Sequence, residues 1–159
     1  MQQTLNIGLT SETRKIIADG LIKLLANTYT LYLKTHNFHW NVTGPMFQPL
    51  HSLFEQQYTD LWNAGDTLAE RVRALGFYVP ASYADFSKLT AIQEVVGTQH
   101  CKDQDMIKQL FQDQEIIIRL IRELIPNAEK AGDQVSVDLL SARMEVHETN
   151  AWMLRSFLE

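Results

Sequence analysis

Apolar residues recur at steps of three and four through most of the chain, in four long blocks separated by turn-forming residues. The first block runs from Ser11 to about Phe38 on Ile16, Ile17, Leu21, Leu24, Leu25, Leu31 and Tyr32. Thr10 or Ser11 supplies a cap and Glu12 an acidic first turn, so a long amphipathic helix is predicted. Gly20 is a weak interior point, costing about 1 kcal/mol relative to alanine. The segment Asn41 to Met46 holds Gly44-Pro45 and reads as a connection. A second helix is predicted from near Pro49, with Leu50, Leu53, Phe54, Leu61 and Leu68 as its apolar stripe and Gly76 as its stop.

Residues 77–97 mix Pro80, Ser82, Asp85, Ser87 and Gly97 with Phe77, Tyr78, Tyr83 and Phe86, the composition of a packed crossover carrying one or two short helical turns. The third helix is predicted from about Thr98 through Ile107, Leu110, Ile117, Ile121 and Leu124. Pro126 should kink it rather than end it, because Ala128 to Ala131 remains helix-favouring. Gly132-Asp133 breaks the pattern, and Val135, Leu139, Leu140, Met144, His147, Ala151, Leu154 and Leu158 form a fourth helix. No strand signal is present. A long connection between helices two and three lets them run parallel, so the fold class is all-α: a four-helix bundle with one long crossover that carries a short helix.

At 159 residues and 45% hydrophobic composition, one domain spanning 1–159 is expected. The single cysteine, Cys101, excludes an intramolecular disulfide, and the N-terminal residues lack the pattern of a secretory signal, so a cytoplasmic location is expected. No apolar run is long enough to span a bilayer. A net charge of −5 opposes general attraction to a phosphate backbone.

The candidate chemistry lies between His36 and Glu70. On a helix covering 49–75, Glu55, Asp66 and Glu70 fall about 40°, 60° and 100° around from His51, so one face gathers an imidazole and three carboxylates. Along the axis, Glu55 and Asp66 are separated by roughly 16 Å, so no single metal reaches both pairs. Either the face is ordinary solvated surface, or an antiparallel second copy brings His51 and Glu55 of one chain to Asp66 and Glu70 of the other. The mixed N and O donors suit iron, zinc or manganese, with His39 adding a second imidazole. A site within one bundle would use Glu-x-x-His motifs, and none occurs, which favours the shared site. His36 is read as a polar neighbour and His147 as a packing or surface residue. On the predicted third helix, His100 and Cys101 would point about 100° apart and form no nucleophile pair.

The run His39-Trp40-Asn41-Val42-x-Gly44, followed by Phe47, Leu50-His51, Phe54-Glu55, Tyr58 and Asp66-x-x-x-Glu70-Arg71, closely resembles the Dps mini-ferritins. The resemblance also covers helix one, the crossover and Ala151 to Arg155. It implies a ferritin-like subunit of a hollow dodecamer with metal ligands His39, His51 and Glu55 from one chain and Asp66 and Glu70 from its partner. The implied activity is oxidation of Fe2+ to Fe3+, preferring hydrogen peroxide to oxygen, with storage of the ferric mineral, zinc and manganese being competitors for the donors. Trp40 is the implied electron or radical relay. Asp133 and Asp138 resemble the acidic lining of a channel admitting iron, although Asp133 also reads as a helix cap.

Basic tails of the kind that bind DNA in many members are not seen, with no Lys or Arg before Arg14 and Leu158-Glu159 after helix four. Weak or absent DNA binding is therefore expected. The rival readings are a nucleoid-packing protein with a secondary or inactive iron site and an architectural helical dimer.

Overall fold

Five helices and no strand occur among the described residues, 5–98 and 101–159, of the computed structural model. The first, α1, spans Ser11–Asn41 and is capped by Thr10, whose hydroxyl accepts from the Thr13 N–H at 3.1 Å. It runs three residues beyond the predicted end, because nothing between Phe38 and Asn41 interrupts the backbone bonds before Gly44-Pro45. His39 and Trp40 are therefore helical, and the Val42 N–H closes the last turn on the Phe38 carbonyl at 2.9 Å.

The second helix, α2, spans Phe47–Ala74. Pro49 lies in its first turn, where the missing N–H costs no helical bond. A short helix, α3 (Tyr83–Leu89), lies in the crossover behind Ser82, which accepts from the Asp85 N–H. The side chain of buried Asn27 ties the crossover to α1: its Oδ1 accepts from the Ala91 N–H at 2.9 Å and the Thr90 hydroxyl at 3.3 Å.

α4 covers Asp103–Ala131 and begins five residues later than predicted. Inward apolar residues start only at Met106, while Asp103 and Asp105 place negative charge at the positive end of the helix dipole. The helix continues through Pro126, as predicted, and stops at Gly132, whose φ of +71° is the left-handed conformation a glycine adopts without strain. Asp133 caps α5, Gln134–Ser156, by accepting from the Ser136 N–H at 3.2 Å.

Helices α1 and α2 pack along their length as one hairpin and α4 and α5 as another, while α1 lies against α4 and α2 meets α5. The pairs Asp60 with Arg143 and Arg71 with Asp133 make α2 and α5 antiparallel, so α2 and α4 run in the same direction. That is the predicted four-helix, one-crossover topology. Its core is filled by Leu24, Leu31 and Phe38 of α1, Phe54, Leu61 and Leu68 of α2, Ile107, Ile117 and Ile121 of α4, and Leu140 and Leu154 of α5. Each such side chain contributes about 1.5–3 kcal/mol on burial. Gly20 is a contact point rather than a simple weakness: a Cβ there would lie 2.5 Å from Leu124 Cδ2, so the glycine lets α1 and α4 approach.

Candidate metal centre

Two imidazoles meet where α1 ends and α2 begins. The His39 and His51 rings stack with centroids 3.7 Å apart and planes 19° apart. Their Nδ1 atoms make reciprocal bonds, His39 Nδ1 to the His51 carbonyl at 2.8 Å and His51 Nδ1 to the His39 carbonyl at 2.9 Å. A carbonyl oxygen only accepts, so both Nδ1 atoms carry a proton, and in the neutral rings the lone pair is on Nε2. Both rings are thereby held in the tautomer that ligates through Nε2, the usual arrangement for a metal-binding histidine. The clasp joins the last turn of α1, which holds His39, to the first turns of α2, which hold His51.

Glu55, Asp66 and Glu70 are exposed on α2, and none forms an ion pair or side-chain hydrogen bond among the described residues. Glu55 lies one turn beyond His51. Asp66 and Glu70 lie roughly 16 Å and more further along the same helix, the predicted separation. Among the described residues of one chain, no three His, Cys, Asp or Glu side chains converge as a metal site. The chain carries two half-sets of donors, one with both imidazoles and Glu55, the other with two unpaired carboxylates.

The other predicted residues have distinct surroundings. The Trp40 indole is 61% exposed and packs on His36, at 3.9 Å, rather than on His39. On its other face His36 stacks against Tyr58, also at 3.9 Å, and its Nδ1 lies within hydrogen-bond distance of the Tyr32 hydroxyl, at 3.2 Å. Burial, with the neighbouring charge of His39, holds His36 below the usual histidine range. Asp133 is only 4% exposed. It accepts from Arg71 Nη2 and the Ser136 hydroxyl as well as capping α5. Burial alone would raise its pKa, but the bonds from Arg71 and Ser136 outweigh that and hold it below the ordinary range. Asp138 is exposed and accepts from Gln134 Nε2. Cys101 precedes α4 rather than lying on it, and its proposed neighbour His100 falls outside the described residues.

Sequence reasoning did not find the polar network inside the bundle. Arg143 donates to Asp60 Oδ1 and Oδ2 at 3.1 and 2.8 Å, and its Nη2 approaches His147 Nε2 at 3.4 Å. His147 Nδ1 donates to Gln114 Oε1 at 2.6 Å. Burial, reinforced by the Arg143 charge, pushes His147 down to about 3. Both nitrogens of this histidine are engaged and a guanidinium stands beside it, so the bundle interior offers a cation no free donor there. The i,i+4 step from Arg143 to His147 on the apolar stripe of α5 was the available signal.

Residues 18–159 match the ferritin-like domain model. The chain is 41% identical over 156 residues to an uncharacterised low-temperature-induced protein of Nostoc, covering 98% of this chain and 87% of that one. It is 35% identical to a DNA protection during starvation protein of Brevibacillus brevis, over 92% of this chain and 97% of the relative. The crystal structure of a Dps protein from Vibrio cholerae O1, described as a member of a broad superfamily of ferritin-like diiron-carboxylate proteins, superposes with a TM-score of 0.92. That comparison has 30% identity and covers 100% and 99% of the two chains. Fold, motif spacing and relatives agree: the chain belongs to the ferritin-like domain family and, within it, to the Dps mini-ferritins.

Proposed function

We propose that this protein stores iron and protects DNA by oxidising Fe2+ to Fe3+ at sites formed between two subunits, with hydrogen peroxide preferred to oxygen. The carrying observation is the reciprocal clasp of His39 and His51, which leaves two Nε2 lone pairs beside Glu55, while Asp66 and Glu70 on the same helix have no partner among the described residues of their own chain. An antiparallel two-fold pairing of α2 places each His51 opposite the partner's carboxylates, giving two identical sites per dimer. The carboxylates stabilise Fe3+ over Fe2+ and so ease electron loss, while neutral imidazoles hold the ferrous substrate before oxidation.

In this reading six such dimers close into a hollow dodecamer that holds the ferric mineral in the cytoplasm. Zinc and manganese compete for the same donors. Asp138, exposed near the start of α5, is the better placed of the two proposed channel carboxylates, and Asp133 supports it through the cap. The net charge of −5 supports protection of DNA by removing iron and peroxide rather than by tight coating of the duplex. Nucleoid packing with an idle iron site is the rival.

Complementation tests the shared site. His51→Ala and Asp66→Ala each break both sites of a homodimer, but a mixed dimer carries one site with both residues intact. Unfolding and co-refolding the two inactive proteins should restore about one quarter of wild-type peroxide-driven ferrous oxidation, because about half of random dimers are mixed and each has one working site of two. Two active single variants would overturn the ferroxidase reading. Two inactive variants that stay inactive after mixing, despite assembly, would overturn the shared site.

A further inference from the structure

Phe47 opens α2 without serving the core. It is 41% exposed and stands outside the buried apolar cluster, although Met46 packs against that cluster and Leu50 belongs to it. Exposure of a lone apolar residue is ordinary. What is particular here is the ring it covers: among the described residues its one aromatic contact is His51, a turn further on, with centroids 4.9 Å apart and planes inclined by 30°.

His51 is the less sheltered of the two imidazoles. His39 is 8% exposed, whereas His51 is only half-buried in the second turn of α2. An imidazole turns about a broad terminal torsion, so one hydrogen bond fixes the place of Nδ1 without fixing the plane of the ring. The plane matters, because the Nε2 lone pair that a metal takes lies in it. His39 stacks on one face of His51 at 3.7 Å, and no second ring fits on that face, so Phe47 holds the other. With both faces covered and Nδ1 bonded to the His39 carbonyl, the edge carrying Nε2 is the part of His51 left open.

The turn that presents Phe47 is itself held in place. α2 has no side-chain cap, but the Phe47 N–H donates to the Gly44 carbonyl at 3.0 Å, and Gly44 takes the turn at a φ of +95° that glycine adopts without strain. We infer that Phe47 is a positioning residue of the iron site: its ring is the outer wall against which His51 is set, so that Nε2 is presented in one orientation before the metal arrives. This rests on the metal-site reading above. The property used is the flat face of the side chain, not its bulk.

Cobalt(II) titration of the assembled protein without oxygen, followed by visible absorption and calorimetry, tests the inference apart from turnover. Wild type should bind, and His51→Ala should lose most of that binding. Phe47→Tyr, which keeps the flat face, should bind like wild type. Phe47→Leu keeps apolar bulk without that face and should bind about tenfold more weakly, the low end of the range for loss of an orienting neighbour. Phe47→Leu that binds as tightly as wild type, Phe47→Tyr that binds no better than Phe47→Leu, or loss of assembly in Phe47→Leu would overturn the positioning role and leave the metal site standing. Equal binding by wild type and His51→Ala would overturn the metal-site reading, and the inference with it.

Discussion

Among the described residues two histidine-containing polar clusters stand apart, one at the open end of the α1–α2 hairpin and one inside the bundle between α2, α4 and α5. They use their imidazoles in opposite ways. His39 and His51 use Nδ1 on backbone carbonyls and keep Nε2 in reserve, beside a carboxylate with no partner among the described residues. His147 spends both nitrogens, one on Gln114 and one beside Arg143, whose charge is in turn engaged by Asp60. A histidine's role is thus set by how many of its nitrogens the fold leaves unsatisfied, and residue type alone does not distinguish a ligand from a structural bridge.

The largest expected effect breaks the open cluster. His51→Ala removes one donor and the ring stacked on His39, while the bond from His39 Nδ1 to the main-chain carbonyl of residue 51 remains. Loss of an orienting partner alone weakens a metal site by about 10–100-fold. Loss of a ligand itself should exceed that and lower initial ferrous oxidation rates by about 100-fold or more, read optically with peroxide. Rates within a few-fold of wild type would remove His51 from the site.

The closed cluster is broken instead by Asp60→Asn. Arg143 is buried, and its bidentate carboxylate partner is the half-exposed end of the pair. Replacing that charge leaves the guanidinium with weakened compensation, at a cost of about 2 kcal/mol. Denaturant unfolding of the metal-free protein reads this, and ferrous oxidation should persist. An unchanged midpoint would show that Arg143 finds equal compensation elsewhere.

These contrasts also explain what was legible in the sequence. The four long helices followed from apolar spacing and from Thr10, Gly132 and Asp133, because caps and periodicity are local properties. The start of α4 was misplaced because Thr98 lacks any local signal against helix, and the deciding factor is where inward burial begins, at Met106. The half-sets of ligands were legible because helical spacing is arithmetic. The His39–His51 clasp was not, since it joins side chains to main-chain carbonyls twelve residues away. The Arg143 network was missed for a related reason: an arginine on an apolar stripe reads as a surface residue until Asp60, 83 positions earlier, is placed against it.

Acid should act on the closed cluster next. His147 has a folded value of about 3 against an ordinary 6.5, so the unfolded chain takes up a proton before the folded one does. The contribution of the neutral histidine is fully present above 6.5 and is lost as pH falls from 6.5 towards about 3. The slope is about 1.4 kcal/mol per pH unit per subunit at most. Arg143 stands beside the ring and is itself engaged by Asp60. Unfolding curves between pH 6.5 and about 5, where few carboxylates titrate, should show the slope in wild type and lose most of it in His147→Gln. A flat wild-type profile would mean that the buried ring is reached by protons without unfolding.

The smallest expected stability effect is at Asp66, and it sharpens the comparison most because the control is another aspartate on the same helix. Asp60 and Asp66 are six residues apart on α2, yet one engages a buried guanidinium and the other has no partner among the described residues of its own chain. Asp66→Asn removes a charge that sits among other exposed acids, so unfolding of the metal-free protein should move by no more than about 0.5 kcal/mol in either direction. Iron oxidation should fall sharply, the reverse of the Asp60→Asn result. Added Zn2+ provides a readout independent of turnover: it should raise the unfolding midpoint of wild type and of Asp60→Asn, and fail to raise that of Asp66→Asn. A large destabilisation of metal-free Asp66→Asn would instead make this carboxylate a structural group at the subunit contact, leaving the ligand role to Glu55 and Glu70.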